Sequence, residues 1–314
     1  MKAPPIPGLS VVVVIVSDTT ERRAEVAMLT ACLDALSTQV DAPPLEVIVP
    51  HHDEVDGIRE LRERFPHVAF LPVTDPRVSA REQGSREHHD ILRARGLVEA
   101  RGEVIGLLED HGRPDEHWSA NVVAAHREDY AAIGGAIENG VDRPLNWAVY
   151  YSDFGRYQNP VPAGESSFAS DANVTYKRSA LDAIRASWED SFREVVVNGI
   201  LMSRGEKLAL RPDIIVFQNR QGLRLGPALR ERFVWGRSYA ATRSALLNGP
   251  RRIAYALLAP ALPVILLSRM AGTAWKRRRH FGQFLKALPF AVMLVTIWSM
   301  GEWVGYVTAR RRFR

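Results

Sequence analysis

The chain has 314 residues, 46% apolar and 25% charged, a balance that suits folded domains and excludes a disordered or low-complexity polypeptide. Its 41 basic and 36 acidic side chains leave a formal charge of +5, with the arginines crowded between Arg220 and Arg314 beside long apolar runs. That pattern points to an anionic membrane surface and away from nucleic acid. Cys32 is the one cysteine, so no internal disulfide forms, and its setting among Leu29, Leu33 and Leu36 reads as core. Residues 1–8 are proline-rich and carry no apolar signal segment, which places the expected first domain in the cytoplasm.

Residues 10–16, almost pure valine and isoleucine, predict a parallel strand buried on both faces. Residues 21–39 carry Val26, Leu29, Leu33 and Leu36 at helical spacing. A second strand over 45–49 ends at Pro50-His51-His52-Asp53, a charged helix covers 54–64, and a third strand covers 68–73. This alternation predicts an α/β fold, a mostly parallel, doubly wound nucleotide-binding sheet. No Gly-x-Gly-x-x-Gly follows the first strand, and no phosphate loop with its lysine occurs, which disfavours dinucleotide and kinase-type sites.

A helix over 85–101 leads into the stretch that organises the chain, residues 102–114. A short apolar run there empties into Glu109-Asp110-His111, and Pro114 is placed to open a helix over 114–128. Ligands of open α/β sheets sit at the carboxyl ends of strands. Three side chains able to hold a hard divalent cation at such an end point to a phosphate-bearing substrate; the plain alternative is a solvated loop. The neighbours His88 and His89 do not share a helix face and read as solvated. A strand over 130–137 follows, then an aromatic run from Trp147 to Tyr157 that fits either a ligand wall or core. A strand over 171–176, helices over 178–187 and 192–204 with Gly205 as C-cap, and a last strand over 208–217 complete a catalytic domain of residues 1–220.

In this order the elements resemble a family 2 glycosyltransferase with the glycosyltransferase A-type fold, over roughly residues 10–218. Arg93, Gly96, Ala100, Gly102 and Glu103, leading into Glu109-Asp110-His111, are similar to the family's arginine motif, Gly-Glu step and Asp-x-Asp motif. Asp171-Ala172-Asn173 with Lys177-Arg178 resembles its acceptor-side segment, and Arg193-Glu194 ahead of Gly205 its acidic pair. The chain departs from the pattern at Ala94, where the family has asparagine, at His111, at Arg193, at Gln218 in place of a histidine, and at His51-His52-Asp53, where a nucleobase-binding aspartate is usual. The resemblance implies inverting transfer of a sugar from a nucleotide-sugar donor. Donor contacts would fall to Ser17, Asp53, Arg93, Glu109 and Asp110, with Arg93 better suited to anchoring its helix than to touching phosphate. Mn²⁺ or Mg²⁺ would be held by Glu109, Asp110 and His111, with turn-shaping as the other role for Asp110; imidazole suits Mn²⁺ better. Glu194 would be the general base, assisted by Asp171 at the acceptor side.

Residues 221–250 mix Arg230, Arg232, Arg237 and Arg243 with Phe233, Trp235 and Tyr239, as an interfacial linker helix does. Residues 251–314 form a membrane-associated helical hairpin with apolar segments over 253–268 and 288–308. A full span takes ~20 apolar residues: the second segment suffices despite Glu302, which should face protein or water, and the first is marginal with Pro260 and Pro263. Were both to cross, the basic cluster at 276–280 would face outside; two spans and an in-plane hairpin stand level. Membrane attachment and the family likeness imply a lipid-linked or polysaccharide acceptor. Two other readings stay open, a different nucleotide-sugar or nucleotidyl transferase and a membrane scaffold that has lost catalysis.

Overall fold

The computed structural model describes residues 7–16, 26–52, 55–79, 87–244 and 247–308. Strands β1 (Leu9–Val14), β2 (Leu45–His51) and β3 (Val68–Pro72) alternate with helices α1 (Val26–Ser37) and α2 (Ile58–Arg64). The short α3 (Pro76–Ser79) and α4 (Glu87–Glu99) deliver the chain to β4 (Val104–Glu109). Then come β5 (Gly112–Pro114), α5 (Trp118–Ala125), β6 (Ala132–Asn139) and α6 (Pro144–Asp153). The α/β domain closes with β7 (Gly164–Ser166), β8 (Asn173–Lys177), α7 (Arg178–Asp182), α8 (Glu194–Ser203) and β9 (Leu208–Gln218).

The strands of the described residues form one sheet in the order β3-β2-β1-β4-β8-β6-β9-β5, with β7 also on β9. β1 to β4 are mutually parallel, β8 runs against β4 and β6, and β9 is parallel to β6, so most strands share one direction. The period-2 alternation of a strand divides β1 between two cores. Val12 and Val14 pack with Ile91, Leu97 and Ile105 on one face, while Val11 and Val13 pack with Leu29, Leu33 and Trp118 on the other. Both faces are covered, which is why residues 11–14 are all valine instead of alternating with polar residues.

Two local expectations are corrected. Pro114 does not open a helix: Gly112–Pro114 pair antiparallel with Val216–Gln218, and the helix begins at Trp118. Pairing to a distant strand overrode the local signal. His88 and His89 are not solvated; they are 3% and 0% exposed, with ring centroids 3.9 Å apart. α4 is covered on more than one side, burying Ile91, Leu92, Arg93, Ala94, Gly96 and Leu97 as well.

The described residues after β9 form α9 (Leu225–Ser244), α10 (Gly249–Leu258), α11 (Leu262–Arg277) and α12 (Phe281–Thr308). α9 runs alongside α12 in the same direction, backbone against backbone: a Cβ at Gly236 would collide with the Trp298 carbonyl, and one at Gly301 with that of Phe233. Pro260 and Pro263 interrupt the return path with a 3₁₀ turn between α10 and α11. That path is antiparallel to α12, with Tyr255 stacked on Tyr306 at 5.7 Å and Trp275 edge-on to Phe281 at 5.4 Å. The turn at residues 277–280 docks on the α/β domain: Arg279 pairs with Glu138 at 3.0 Å, Arg277 donates to the Pro160 carbonyl, and the Tyr151 hydroxyl donates to the His280 carbonyl at 3.0 Å. The basic cluster therefore lies on the α/β-domain side, not on the far side where a crossing pair was expected to put it. Trp147, Tyr150 and Tyr151 are core, packed with Phe284, Ala287 and Leu294 of α12, while Phe154 and Tyr157 of the same run also line a cleft.

Candidate active site

The carboxyl ends of β1 and β4 are locked by Asp110. Its N–H donates to the Val14 carbonyl at 3.0 Å, and its Oδ1 accepts from the Val16 N–H at 3.1 Å; the residue is 0% exposed. Asp110 thus shapes the turn, and it does not line the cleft beside it. Glu109 and His111, on either side in sequence, do. The imidazole stands between the two carboxylates, with Nε2 3.3 Å from Glu109 Oε2 and Nδ1 3.3 Å from Asp110 Oδ1. The His111 carbonyl accepts from the Asn219 N–H at 2.7 Å, which ties this loop to the end of β9.

Behind the cleft lies Arg93, 1% exposed. Its guanidinium reaches Asp171 Oδ2 at 2.9 Å, Glu109 Oε1 at 3.2 Å and Asp90 Oδ1 at 3.2 Å. A planar fork with five donors suits such multiple pairing. Arg93 therefore joins the strand end that carries Glu109 to the loop that carries Asp171. Glu194 occupies the first turn of α8, where free N–H groups favour an anion. Its Oε1 accepts from Asn198 Nδ2 at 2.8 Å, and Asn198 Oδ1 accepts from the Tyr176 hydroxyl at 2.9 Å. Burial, and after it the negative charge of Asp171, push the Glu194 carboxyl up to about 7, against the opposing pull of Arg156 and Arg93.

Glu109, His111, Asp171 and Glu194 line one cleft of about 330 Å³, a size that suits a small-molecule ligand. Ser17 and Asp53 lie outside the described residues. His89, which the sequence suggested was solvated, and Arg156, which it did not single out, also line the cleft. His89 sits one helical turn before Arg93, a spacing that could have marked it; Arg156 was hidden in the aromatic run, where it covers the Tyr157 ring at 4.8 Å. Among the described residues no three His, Cys, Asp or Glu side chains are grouped as a ready metal site. Glu109 and His111 nevertheless offer one carboxylate and one imidazole to the cleft, a donor pair that fits Mn²⁺ when phosphate oxygens complete the shell.

The sheet order, with β8 reversed between β4 and β6, and the acidic end of β4 define a glycosyltransferase A-type fold. The model of the family described as glycosyl transferase family 2 matches residues 19–185, more than half of the chain, and the chain belongs to that family. Among solved structures it is similar to the mannosyltransferase PcManGT from Pyrobaculum calidifontis in complex with GDP-Man and Mn²⁺, with TM-score 0.52 and 16% identity over 94% of this chain and 86% of that one. TarS 1-349 of S. aureus in complex with UDP aligns with TM-score 0.46 and 12% identity over 91% of this chain and 90% of that one. No curated protein sequence matches the chain.

Proposed function

We propose that this protein is an inverting, metal-dependent glycosyltransferase that moves a sugar from a nucleotide-sugar donor to a hydroxyl of a lipid-linked or polysaccharide acceptor. The observation that carries the reading is Glu194, a carboxylate poised near neutrality in the same cleft as Glu109 and His111. The GDP-Man and Mn²⁺ of the Pyrobaculum calidifontis mannosyltransferase support the donor and metal class. Glu109 and His111 would hold Mn²⁺ or Mg²⁺, which supplies positive charge to the departing diphosphate. Glu194 takes the proton from the acceptor hydroxyl as its oxygen bonds to the anomeric carbon. The bond from that carbon to the phosphate oxygen breaks, and the nucleoside diphosphate leaves. Asp171 keeps the Glu194 carboxyl basic and is itself held by Arg93. Resolving donor consumption by product tests the proposal. A glycosyltransferase releases nucleoside diphosphate faster when acceptor is present; release of pyrophosphate marks a nucleotidyl transferase, and no turnover with any donor marks a scaffold.

The same proposal places α10–α12 in the plane of an anionic membrane, with the α/β domain on its cytoplasmic side. Among the described residues two segments, Gly249–Arg277 and Phe281–Thr308, are long and apolar enough to cross by length and composition. The first exposes Leu257 at 76% and Val264 at 72%, an apolar face that suits acyl chains. A crossing α12 would carry α9 with it, and α9 holds Arg230, Glu231, Arg232, Arg237 and Arg243. Charges at that depth are costly, so the in-plane arrangement is the better of the two. Single cysteines at Asn248 and Arg278 (Asn248→Cys, Arg278→Cys), with Cys32 buried, test it in sealed vesicles. Both should react with an impermeant maleimide from the side of the α/β domain; protection of Asn248→Cys alone would indicate a span.

A further inference from the structure

A second cavity, of about 350 Å³, lies among α9, α10, α11 and α12. It meets the catalytic cleft at Ser152, Asp153 and Trp298, which line both. Most of its wall is apolar, with Leu262, Leu266, Met270 and Leu294 among its side chains. Leu258 lines it and is 61% exposed, so the cavity reaches the apolar outer surface of the helices.

The polar groups in this wall are unusual for an apolar space. Three arginines, Arg232, Arg243 and Arg269, face two carboxylates, Asp153 and Glu302. Arg232 and Asp153 neutralise one another through two contacts of 2.5 Å. The Glu302 carboxylate accepts from Trp298 Nε1 at 2.5 Å. Arg243 is held by aromatic groups: it donates to the Tyr255 hydroxyl at 2.9 Å and lies over that ring, 4.1 Å from its centroid. Arg269 is exposed on α11 and completes the wall. The excess charge is positive, at guanidinium groups whose fork geometry matches phosphate oxygens.

We infer that this cavity binds an amphiphile with a phosphate-containing head, the lipid carrier of the acceptor sugar. The tail occupies the apolar wall and leaves past Leu258 into the leaflet. The head rests on Arg243 and Arg269, and the sugar passes Trp298 and Asp153 toward Glu194. This rests on the transferase reading of the adjoining cleft and names the acceptor class for it. A general base in that cleft calls for a hydroxyl nucleophile, which a sugar carried on a lipid phosphate provides and a bare lipid phosphate does not.

The test uses the full chain in detergent, with the catalytic cleft filled by a nucleoside diphosphate and Mn²⁺, and measures binding of farnesyl diphosphate, pyrophosphate and farnesol by calorimetry. Farnesyl diphosphate should bind at least about tenfold more tightly than either fragment. Arg243→Gln and Arg269→Gln should each weaken it about tenfold, the scale of one charged hydrogen bond. Arg269 is exposed, so its variant keeps the test readable if loss of the Arg243 ring contacts impairs folding. Equal binding of pyrophosphate and farnesyl diphosphate, or indifference to both substitutions, would overturn the lipid site and leave the transferase reading intact. Binding of farnesyl diphosphate by a chain that takes no nucleotide would overturn the transferase reading and leave the lipid site standing.

Discussion

Glu194→Gln is expected to lower kcat about 10²–10⁴-fold, the usual contribution of a general base, with little change in donor affinity. Glutamine is nearly isosteric and can still meet Asn198, but it accepts no proton. The pH profile supplies a second readout. The base must be ionised, so kcat/KM should climb as pH rises and level off above about 7, the value to which burial and Asp171 push this carboxyl. The glutamine variant should lose that limb. Stability runs the other way. A carboxyl whose folded-state value is raised favours the folded protein fully only below its unfolded value, and that contribution fades as pH rises through about 7. Above neutrality Glu194→Gln should therefore be at least as resistant to urea as the parent, which separates a catalytic loss from a folding loss. Retained activity in this variant would move the base elsewhere.

Arg93→Met is expected to cost about 3–5 kcal/mol of folding stability, the range for breaking a buried ion pair by removing one partner. The methionine fills similar space, but Glu109 and Asp171 lose the guanidinium that holds each of them, at 3.2 and 2.9 Å. Arg93→Lys should recover only part of the loss, because an ammonium cannot span both carboxylates as a fork does. Urea unfolding measures the difference. An Arg93→Met protein as stable as the parent would mean that the other neighbours of these carboxylates already suffice.

The α/β half was legible because its signals are local. β1 and β4 are mostly apolar runs too short for helices, and with both faces covered neither alternates apolar with polar residues. What escaped depends on partners far along the chain. Gly112–Pro114 became a strand because Val216–Gln218 lies beside it. His88 and His89 are buried because α4 is enclosed, which their own spacing cannot reveal. At the site, Glu109, His111, Asp171 and Glu194, which the family likeness singled out, line one cleft; turn-shaping was one of two roles open to Asp110, and its bond from the Val16 N–H depends on β1, far along the chain. The C-terminal helices were visible as apolar lengths. Their direction was not, because it is set by the close approach of Gly236 and Gly301 to partner backbones and by the docking of Arg279 on Glu138.

In the proposed reaction Glu109 and His111 grip a cation that grips a diphosphate. Thermal unfolding of the full chain, with Mn²⁺ and a nucleoside diphosphate separately and together, tests it most directly. Ligands that bind only the folded state stabilise it by about 2.7 kcal/mol at a hundredfold excess over Kd. Together the two should raise the unfolding midpoint beyond the sum of their separate effects, and His111→Ala should abolish that excess. Equal protection by the nucleotide in the presence of a chelator, or an undiminished excess in His111→Ala, would contradict the claim.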